Sequence, residues 1–510
     1  MWRLSATRCY NTFLCTARSY CEFILPAKKP QLDEVSWATT QRRYRKASYF
    51  RRGCCIGSIL FVVLLFNATW ILPIALDPNS KSPQKRARED KWVGSSPYLF
   101  DRWLCRAVSL CGLHHLRQDI AGSPPNQESD PVAKHFTLQP RADNGTDSGR
   151  SSRDVPDFVL KHAPFVHLHK AERFFPSDIA KFIKHMNVGN HGTIVEDSNT
   201  TNITLSNMAS LNQYNDSVSL EARDNVEMRP SWLYSHRNIP EPFQPPEDFA
   251  AEYDQSAIHI LKERAASSFG HKPNEQGYSA APAVLILVDK GNSTVDAFWF
   301  FFYAYNFGQT VLGLRFGNHV ADWEHCMVRF QHGKPSGVFL SEHTGGVAYD
   351  WDAVEKRTSA DGTERPVIFS AIGSHAMYAT PGDQPYILPF NLLKDETSRG
   401  SLWDPALNNY AFHYDSSRAD EDYNAVDDTH TLTPATSNSQ LPTSWFHYRG
   451  AWGDDVYPLS DMRQWRLFRQ YHYVRGPAGP KWKKLARENI CPKKKCRVLK
   501  SLKDKASWHQ

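Results

Sequence analysis

The densest run of reactive side chains in this 510-residue chain is Gly317-Asn318-His319-Val320-Ala321-Asp322-Trp323-Glu324-His325, which leads directly into Met327-Val328-Arg329-Phe330. If a strand begins near Asp322, successive side chains alternate between faces, so Asp322 and Glu324 share one face and Trp323 and His325 the other. His319 then sits in the preceding loop, close enough to fold back over the carboxylates. Two carboxylates and one imidazole converging on a point make a divalent-cation site. Its oxygen-rich character favours Ca²⁺ or Mg²⁺ first, then Mn²⁺. Two further His-bearing turns, Ser341-Glu342-His343 and Gly373-Ser374-His375, end strand-like segments. If His343 or His375 closes on His319, the donor set becomes richer in nitrogen and admits Zn²⁺. The competing reading is structural: Asp322 and Glu324 would pair with Arg329 or Lys334, and the histidines would hydrogen-bond turns. Ser374-His375 does not read as nucleophile and base, because adjacent strand residues face opposite ways and the chain has no Gly-x-Ser-x-Gly elbow.

The elements that must position these groups read as strands. Ala283–Val288 is a continuous apolar run rich in β-branched residues, and Val295–Tyr305 is dense in aromatics; both favour sheet over helix. Met327–Phe330, Gly337–Leu340 and Pro366–Ala371 are shorter runs bounded by Gly, His and Pro turns. Closely spaced strands of this kind make a mainly β fold, an antiparallel β-sandwich with a few short helices. Helical signals are Pro176-Ser177-Asp178 leading into Ile179–His185, and Pro246-Glu247-Asp248 opening a stretch through Ala266.

Composition narrows the function classes. Hydrophobic residues make up 41% and aromatics 13% of the chain, enough for a large core and too much for a disordered polymer. A mean hydropathy of −0.53 excludes a polytopic membrane protein. The net charge of +6 is spread along the chain and lacks the dense basic stripe of a nucleic-acid binder, so no nucleic-acid partner is expected. Gly53–Leu76 contains no charged residue and is long enough to cross a bilayer as one helix. A cleaved signal peptide fits it less well, because 52 residues precede it. Basic residues flank the run on both sides, but the Asn-x-Ser/Thr acceptors Asn144, Asn199, Asn202, Asn215 and Asn292 all follow it. Orientation therefore reads as cytosol first, lumen after.

The resulting plan is a basic cytosolic tail over 1–52, a transmembrane anchor over 53–76, a stem or linker over 77–153, a β-rich domain over 154–496 and a C-terminal tail over 497–510. Two polar stretches, 187–225 and 416–443, read as surface insertions. On the lumenal side Cys105, Cys111, Cys491 and Cys496 are disulfide candidates in an oxidising compartment, with connectivity left open by spacing. Cys326 reads as a buried small apolar residue.

At the motif residues the chain resembles the fungal vacuolar protein sorting-associated protein 62 family. The matching pieces include Val155-Pro156-Asp157-Phe158 through His162-Ala163-Pro164, Phe175-Pro176-Ser177-Asp178, Asp296–Asn306 and Gly317–His325. Ser341-Glu342-His343, Gly373-Ser374-His375, Leu402-Trp403-Asp404-Pro405, Gly450–Asp454, Gly476–Pro480 and Cys491-Pro492 follow in the family's order, with Ala321 where the family usually has Gly. The resemblance spans about residues 155 to 496. It implies a link to protein delivery to the vacuole and specifies no chemistry. A more distant resemblance is to the necrosis-inducing cytolysins, at His319, Asp322, Trp323 and Glu324. It implies that His319, Asp322 and Glu324 hold a divalent cation in a β-sandwich that meets membrane lipids, with Asn306 as the substitute for a further acidic ligand. The expectation is therefore a single-pass, lumen-facing sorting factor that acts by binding cargo, a glycan or a lipid head group; no established catalytic signature marks it as an enzyme, and that question stays open. The alternatives are a cytolysin-like lipid-binding module, or a metal-dependent hydrolase in which His343 or His375 relays protons.

Overall fold

The computed structural model describes residues 83–116, 153–234 and 271–503, apart from 197–199, 201, 216, 229, 312, 344, 360, 386–393 and 494–495. The Gly53–Leu76 run and the stretch from Pro246 to Ala266 lie outside the described residues. Among those described, no helix is long and apolar enough to cross a membrane. The chain divides into two compact units, Met1–Arg86 and Ala87–Gln510. Of the first, the described residues are 83–86, which open the Pro83–Gly94 helix. The β-rich architecture belongs to the second.

Its centre is an eight-stranded sheet in the order Leu432–Pro434, Asn409–Tyr414, Ala283–Gly291, Thr294–Asn306, His319–Gln331, Lys334–Glu342, Gly345–Asp350, Val498–Leu499. Thr294–Asn306 is hydrogen-bonded along its length to antiparallel neighbours on both sides. Two tight hairpins set this register. Asn292-Ser293 and His332-Gly333 each place two successive residues at positive φ, the turn whose twist matches that of the flanking strands. The aromatic run has no polar alternation because both of its faces are covered. Phe298, Phe300 and Phe302 point one way, and Trp299, Phe301 and Tyr303 the other, all buried.

The expected two-layer antiparallel sandwich is corrected on two counts. The central sheet is mixed, since Asn409–Tyr414 runs parallel to Ala283–Gly291 and Val498–Leu499 parallel to Gly345–Asp350. It is also the middle of three layers. The face bearing Trp299 packs on a second sheet built from Lys356–Thr358, Glu364–Ser370, Phe165–His167 and Leu402–Trp403, with Met377–Tyr378 paired to Glu364–Ser370. The face bearing Phe300 packs on the Met186–Asn190 and Val218–Ala222 strands, the Ile179–Phe182 helix and the indoles of Trp445 and Trp452. That helix is short, continues as a 3₁₀ turn to His185, and is capped by Asp178, whose carboxylate accepts the Ala180 N–H at 2.9 Å.

Segment 187–225, expected as a surface insertion, instead buries Val188, Ile203, Leu205, Met208, Leu211, Val218 and Leu220 in the main core. Its apolar residues are spaced among Asn, Ser and Thr, which hid the pattern. In 416–443, Leu432–Pro434 forms an edge strand of the central sheet and Ala425, Leu432 and Ala435 are buried. The expected stem is folded over 87–116: the Leu99–Val108 helix is tied by a Cys105–Cys111 disulfide, and Leu110–Cys111 pairs with Arg466–Leu467. Trp92 Nε1 donates to the Tyr457 carbonyl at 2.9 Å. The second disulfide joins Cys491 and Cys496, and Cys326 is free and buried.

One buried charge cluster holds the hairpin end of the central sheet. Asp296, fully buried, accepts two hydrogen bonds from the Arg329 guanidinium, at 2.7 and 2.8 Å. Its charge also stabilises the cations of half-buried Lys290 and buried Arg487. Replacing Asp296 by Asn leaves these cations without that counter-charge. The variant is expected to unfold at lower urea concentration, with a loss of about 3–5 kcal/mol.

Candidate functional site: a buried polar cluster at the end of the central sheet

The strand carrying the motif begins at His319, three residues earlier than the sequence suggests, and pairs His319 with Asn306 and Asp322 with Tyr303. Alternation then holds as expected. Asp322 and Glu324 face the second sheet, while Trp323 and His325 face the main core, where the His325 ring lies 5.1 Å from Phe300 and 5.5 Å from Phe339. Burial and the cations of Arg487 and Lys483 push the His325 imidazole well below its ordinary range. It is therefore neutral and packs as an aromatic.

Each of the other expected residues has a specific partner. His319 Nδ1 donates to the Ala321 carbonyl at 2.6 Å, which leaves Nε2 as the lone-pair nitrogen of the neutral ring. Burial lowers its pKa, with Asp322 opposing. Ala321 has φ +61°, the left-handed conformation glycine adopts most cheaply. His375 Nδ1 lies 3.0 Å from Asp322 Oδ2, and its Nε2 lies 3.2 Å from the Phe174 carbonyl oxygen and 3.8 Å from Glu172 Oε2. The His375 ring is fully buried and stacked on Tyr303, with centroids 3.7 Å apart. Glu324 accepts from the Ser341 hydroxyl, whose oxygen in turn accepts the His325 N–H at 2.8 Å. Asn306 Nδ2 donates to the Gly317 carbonyl at 2.8 Å.

Asp395, which sequence reasoning did not single out, organises the other half. It is fully buried and accepts from His343 Nε2 (2.7 Å), Ser374 Oγ (2.7 Å), Tyr378 Oη (2.7 Å) and Gln309 Nε2 (2.9 Å). Ser374 thus gives its proton to Asp395 and His375 bonds Asp322, so the adjacent pair serves two different carboxylates. Glu172 was also missed; its carboxylate accepts the Gly373 and Phe174 N–H groups at 2.8 and 2.9 Å and so fixes the His375 turn. Neither residue had a motif signal, because the side-chain partners of Asp395 lie 17 to 86 residues away and the turn that Glu172 braces lies 201 residues away. Three residues of the cluster other than glycine, Ala321, His343 and His375, have positive φ. Such conformations persist only where the surroundings over-determine them, and they gather at functional sites.

The cluster concentrates acid in a dry space. Burial, then the charge of Asp322, raises Glu324 well above the usual carboxylate range. Burial raises Glu342 to about 8. His343 is raised to about 9: burial opposes its charge, and the hydrogen bond and charge of Asp395 outweigh burial. Arg329 is committed to Asp296, so the pairing of Asp322 or Glu324 with Arg329 is not observed. Among the described residues, no three or more His, Cys, Asp or Glu side chains are arranged to hold a metal ion. The carboxylates of Asp322 and Glu324 are instead occupied by His375 and Ser341.

These shifts carry a sign. A histidine raised to about 9 contributes stability that is complete below its ordinary 6.5 and is lost as pH rises toward 9. Glu342, held neutral up to about 8, likewise loses its contribution as pH rises from 4.5 through 8. The urea midpoint of the protein is therefore expected to fall between pH 6.5 and 8. In Asp395→Asn the His343 ring, followed by NMR, is expected to titrate well below about 9, because burial is then opposed only by the charges of Glu324 and Asp322. An unchanged His343 titration would refute the Asp395 assignment.

A family model described as vacuolar protein sorting-associated protein 62 matches residues 290–388, the stretch that holds the central hairpins and the motif. In Saccharomyces cerevisiae, the putative vacuolar protein sorting-associated protein TDA6 is 37% identical over 368 residues, covering 68% of this chain and 71% of that protein. Vacuolar protein sorting-associated protein 62 of the same yeast is 32% identical over 386 residues, covering 73% of each. Among solved structures, necrosis and ethylene inducing protein 2 from the causal agent of cocoa's witches' broom disease aligns over 46% of this chain and 72% of that one, at 13% identity and a TM-score of 0.20. NLPPya in complex with mannosamine aligns over 51% and 83%, at 10% identity and a TM-score of 0.19. At such TM-scores the two superpositions carry no argument. The two yeast relatives, each matched over more than two thirds of its length, do: the chain belongs to the vacuolar protein sorting-associated protein 62 family.

Proposed function

We propose that this protein is a membrane-anchored, lumen-facing factor of the secretory-vacuolar pathway that acts in protein sorting by binding, with the polar cluster at the end of the central sheet as its recognition site. The observation that carries the sorting role is the 37% identity over 368 residues to a relative named for vacuolar protein sorting. The anchor is the uncharged Gly53–Leu76 run. Lumenal placement is supported by Asn202, Asn215 and Asn292, acceptor asparagines that stand exposed; Asn144 and Asn199 lie outside the described residues. The half-buried His319 and His343 are the cluster's solvent-facing groups, with Asp322, Glu324 and Asp395 behind them. Such a constellation on a rigid sheet suits recognition of a polar ligand, a glycan or a lipid head group. A divalent cation at His319, Asp322 and Glu324 is the second part of the proposal; it would compete with His375 for the Asp322 carboxylate.

Yeast lacking both relatives and given this chain is the direct test. The wild-type chain is expected to restore delivery of a vacuolar hydrolase, and Asp322→Ala to express, fold and fail. Full delivery without either relative, or with Asp322→Ala, would sink the reading. Calorimetric titration of the detergent-solubilised chain with Ca²⁺, Mg²⁺, Mn²⁺ and Zn²⁺ tests the second part separately. Binding removed by Asp322→Ala is expected, and silence from folded wild-type protein would remove the cation while leaving the recognition site.

A further inference from the structure

We propose that the Leu99–Val108 helix is a bilayer-docking element, whose outer face seats on the phospholipid surface of the membrane from which the chain emerges. The proposal rests on the reading of Gly53–Leu76 as the anchor. Leu99, Phe100 and Trp103 are 78%, 70% and 62% exposed, Tyr98 just before the helix is exposed as well, and the Phe100 and Trp103 rings stack 5.9 Å apart. So much exposed aromatic surface on one short helix marks an interaction site.

The identity of the partner follows from three observations. The first is residue type: Trp, Tyr and Phe with Arg102 and Arg106 along one helix is the composition of a segment lying at a membrane interface, rings among the acyl chains and guanidiniums at the phosphates. Leu99, Arg102, Trp103, Arg106 and Ala107 line a shallow groove of about 450 Å³, so both arginines border the apolar surface. Among the described residues Arg106 has a distant partner in Asp90, at 4.0 Å. The second is rigidity. The inner face of the helix is held by the Cys105–Cys111 disulfide and by Asp101, which accepts from Ser96 Oγ and Gly112 N at 2.7 Å each. The exposed face is thus presented without a further ordering cost. The third is reach. Only 22 residues separate Leu76 from Leu99, and twelve of them form the Pro83–Gly94 helix, so the tether keeps the aromatic helix within a few nanometres of the bilayer. That helix carries Lys85, Arg86, Arg88 and Lys91, further cations suited to a phosphate-bearing surface.

The test uses the full chain carrying a photoreactive benzoylphenylalanine at Phe100, reconstituted in phosphatidylcholine–phosphatidylinositol vesicles that contain a tritiated lipid. Irradiation is expected to give a lipid adduct at Phe100 and none from the same probe at Leu407, another exposed apolar residue. Arg102→Glu with Arg106→Glu is expected to lower the yield about thirtyfold, the loss of two phosphate contacts at about 1 kcal/mol per basic residue. No lipid adduct at Phe100, or an adduct to a second copy or another protein, overturns the proposal. An alkaline carbonate wash keeps the two readings apart. A chain that resists extraction but gives no lipid adduct retains its anchor and loses this docking face. A chain that is extracted by the wash yet gives the adduct loses the anchor and keeps the docking face.

Discussion

Burial of both faces of one strand is the constraint on which the rest of this protein depends. Thr294–Asn306 has no solvent side over its aromatic stretch, and its backbone is paired on both edges. A strand of this kind cannot slip by one residue, since slippage would exchange Phe298, Phe300 and Phe302 with Trp299, Phe301 and Tyr303 across two different packing layers. The second sheet, the helical and loop layer and both hairpins are therefore placed relative to it. Its C-terminal end positions the polar cluster: Tyr303 lies opposite Asp322 and stacks on His375, and Asn306 lies opposite His319.

The cluster is costly for the fold that holds it. Carboxylates of Asp322, Glu324, Asp395 and Glu172 are gathered where little water reaches, and each would destabilise the protein if unpaired. The cost is offset by hydrogen bonds: four donors on Asp395, a histidine on Asp322, a serine on Glu324 and backbone N–H groups on Glu172. An apolar plug of the same volume would make a more stable sheet end. The cluster thus gathers buried polar side chains, with three left-handed residues to aim them, at a cost to the stability of the sheet end.

Close approach of backbones also shapes the surroundings of the cluster. Gly453 lies against the Val320 carbonyl, where any Cβ would clash, so the loop bearing Trp452 can lie directly on the motif strand. Gly373 has φ +72° and no room for a side chain beside Phe307, which allows the turn that turns Ser374 and His375 inward. Gly453 and Gly373 are thus packing devices around the cluster.

Much was legible before any coordinates. Strand positions, the alternation of Asp322 and Glu324 against Trp323 and His325, the helix capped by Asp178, and the family all followed from local residue type and order, because period and turn chemistry are properties of short segments. The partners of the chemical groups did not follow. Asp395 is 52 residues from His343, and Glu172 is 201 residues from the Gly373 turn it braces, separations that carry no local pattern. The second buried face of the aromatic strand, the core role of 187–225 and the folding of 87–116 onto Arg466 and Tyr457 were likewise invisible, since polar residues between apolar ones mask burial that depends on distant surfaces. Residue chemistry and strand identity were determined by the sequence alone. Which carboxylate meets which donor was decided only by tertiary structure, because hydrogen bonding in a dry interior depends on a few tenths of an ångström between segments brought together by the whole fold.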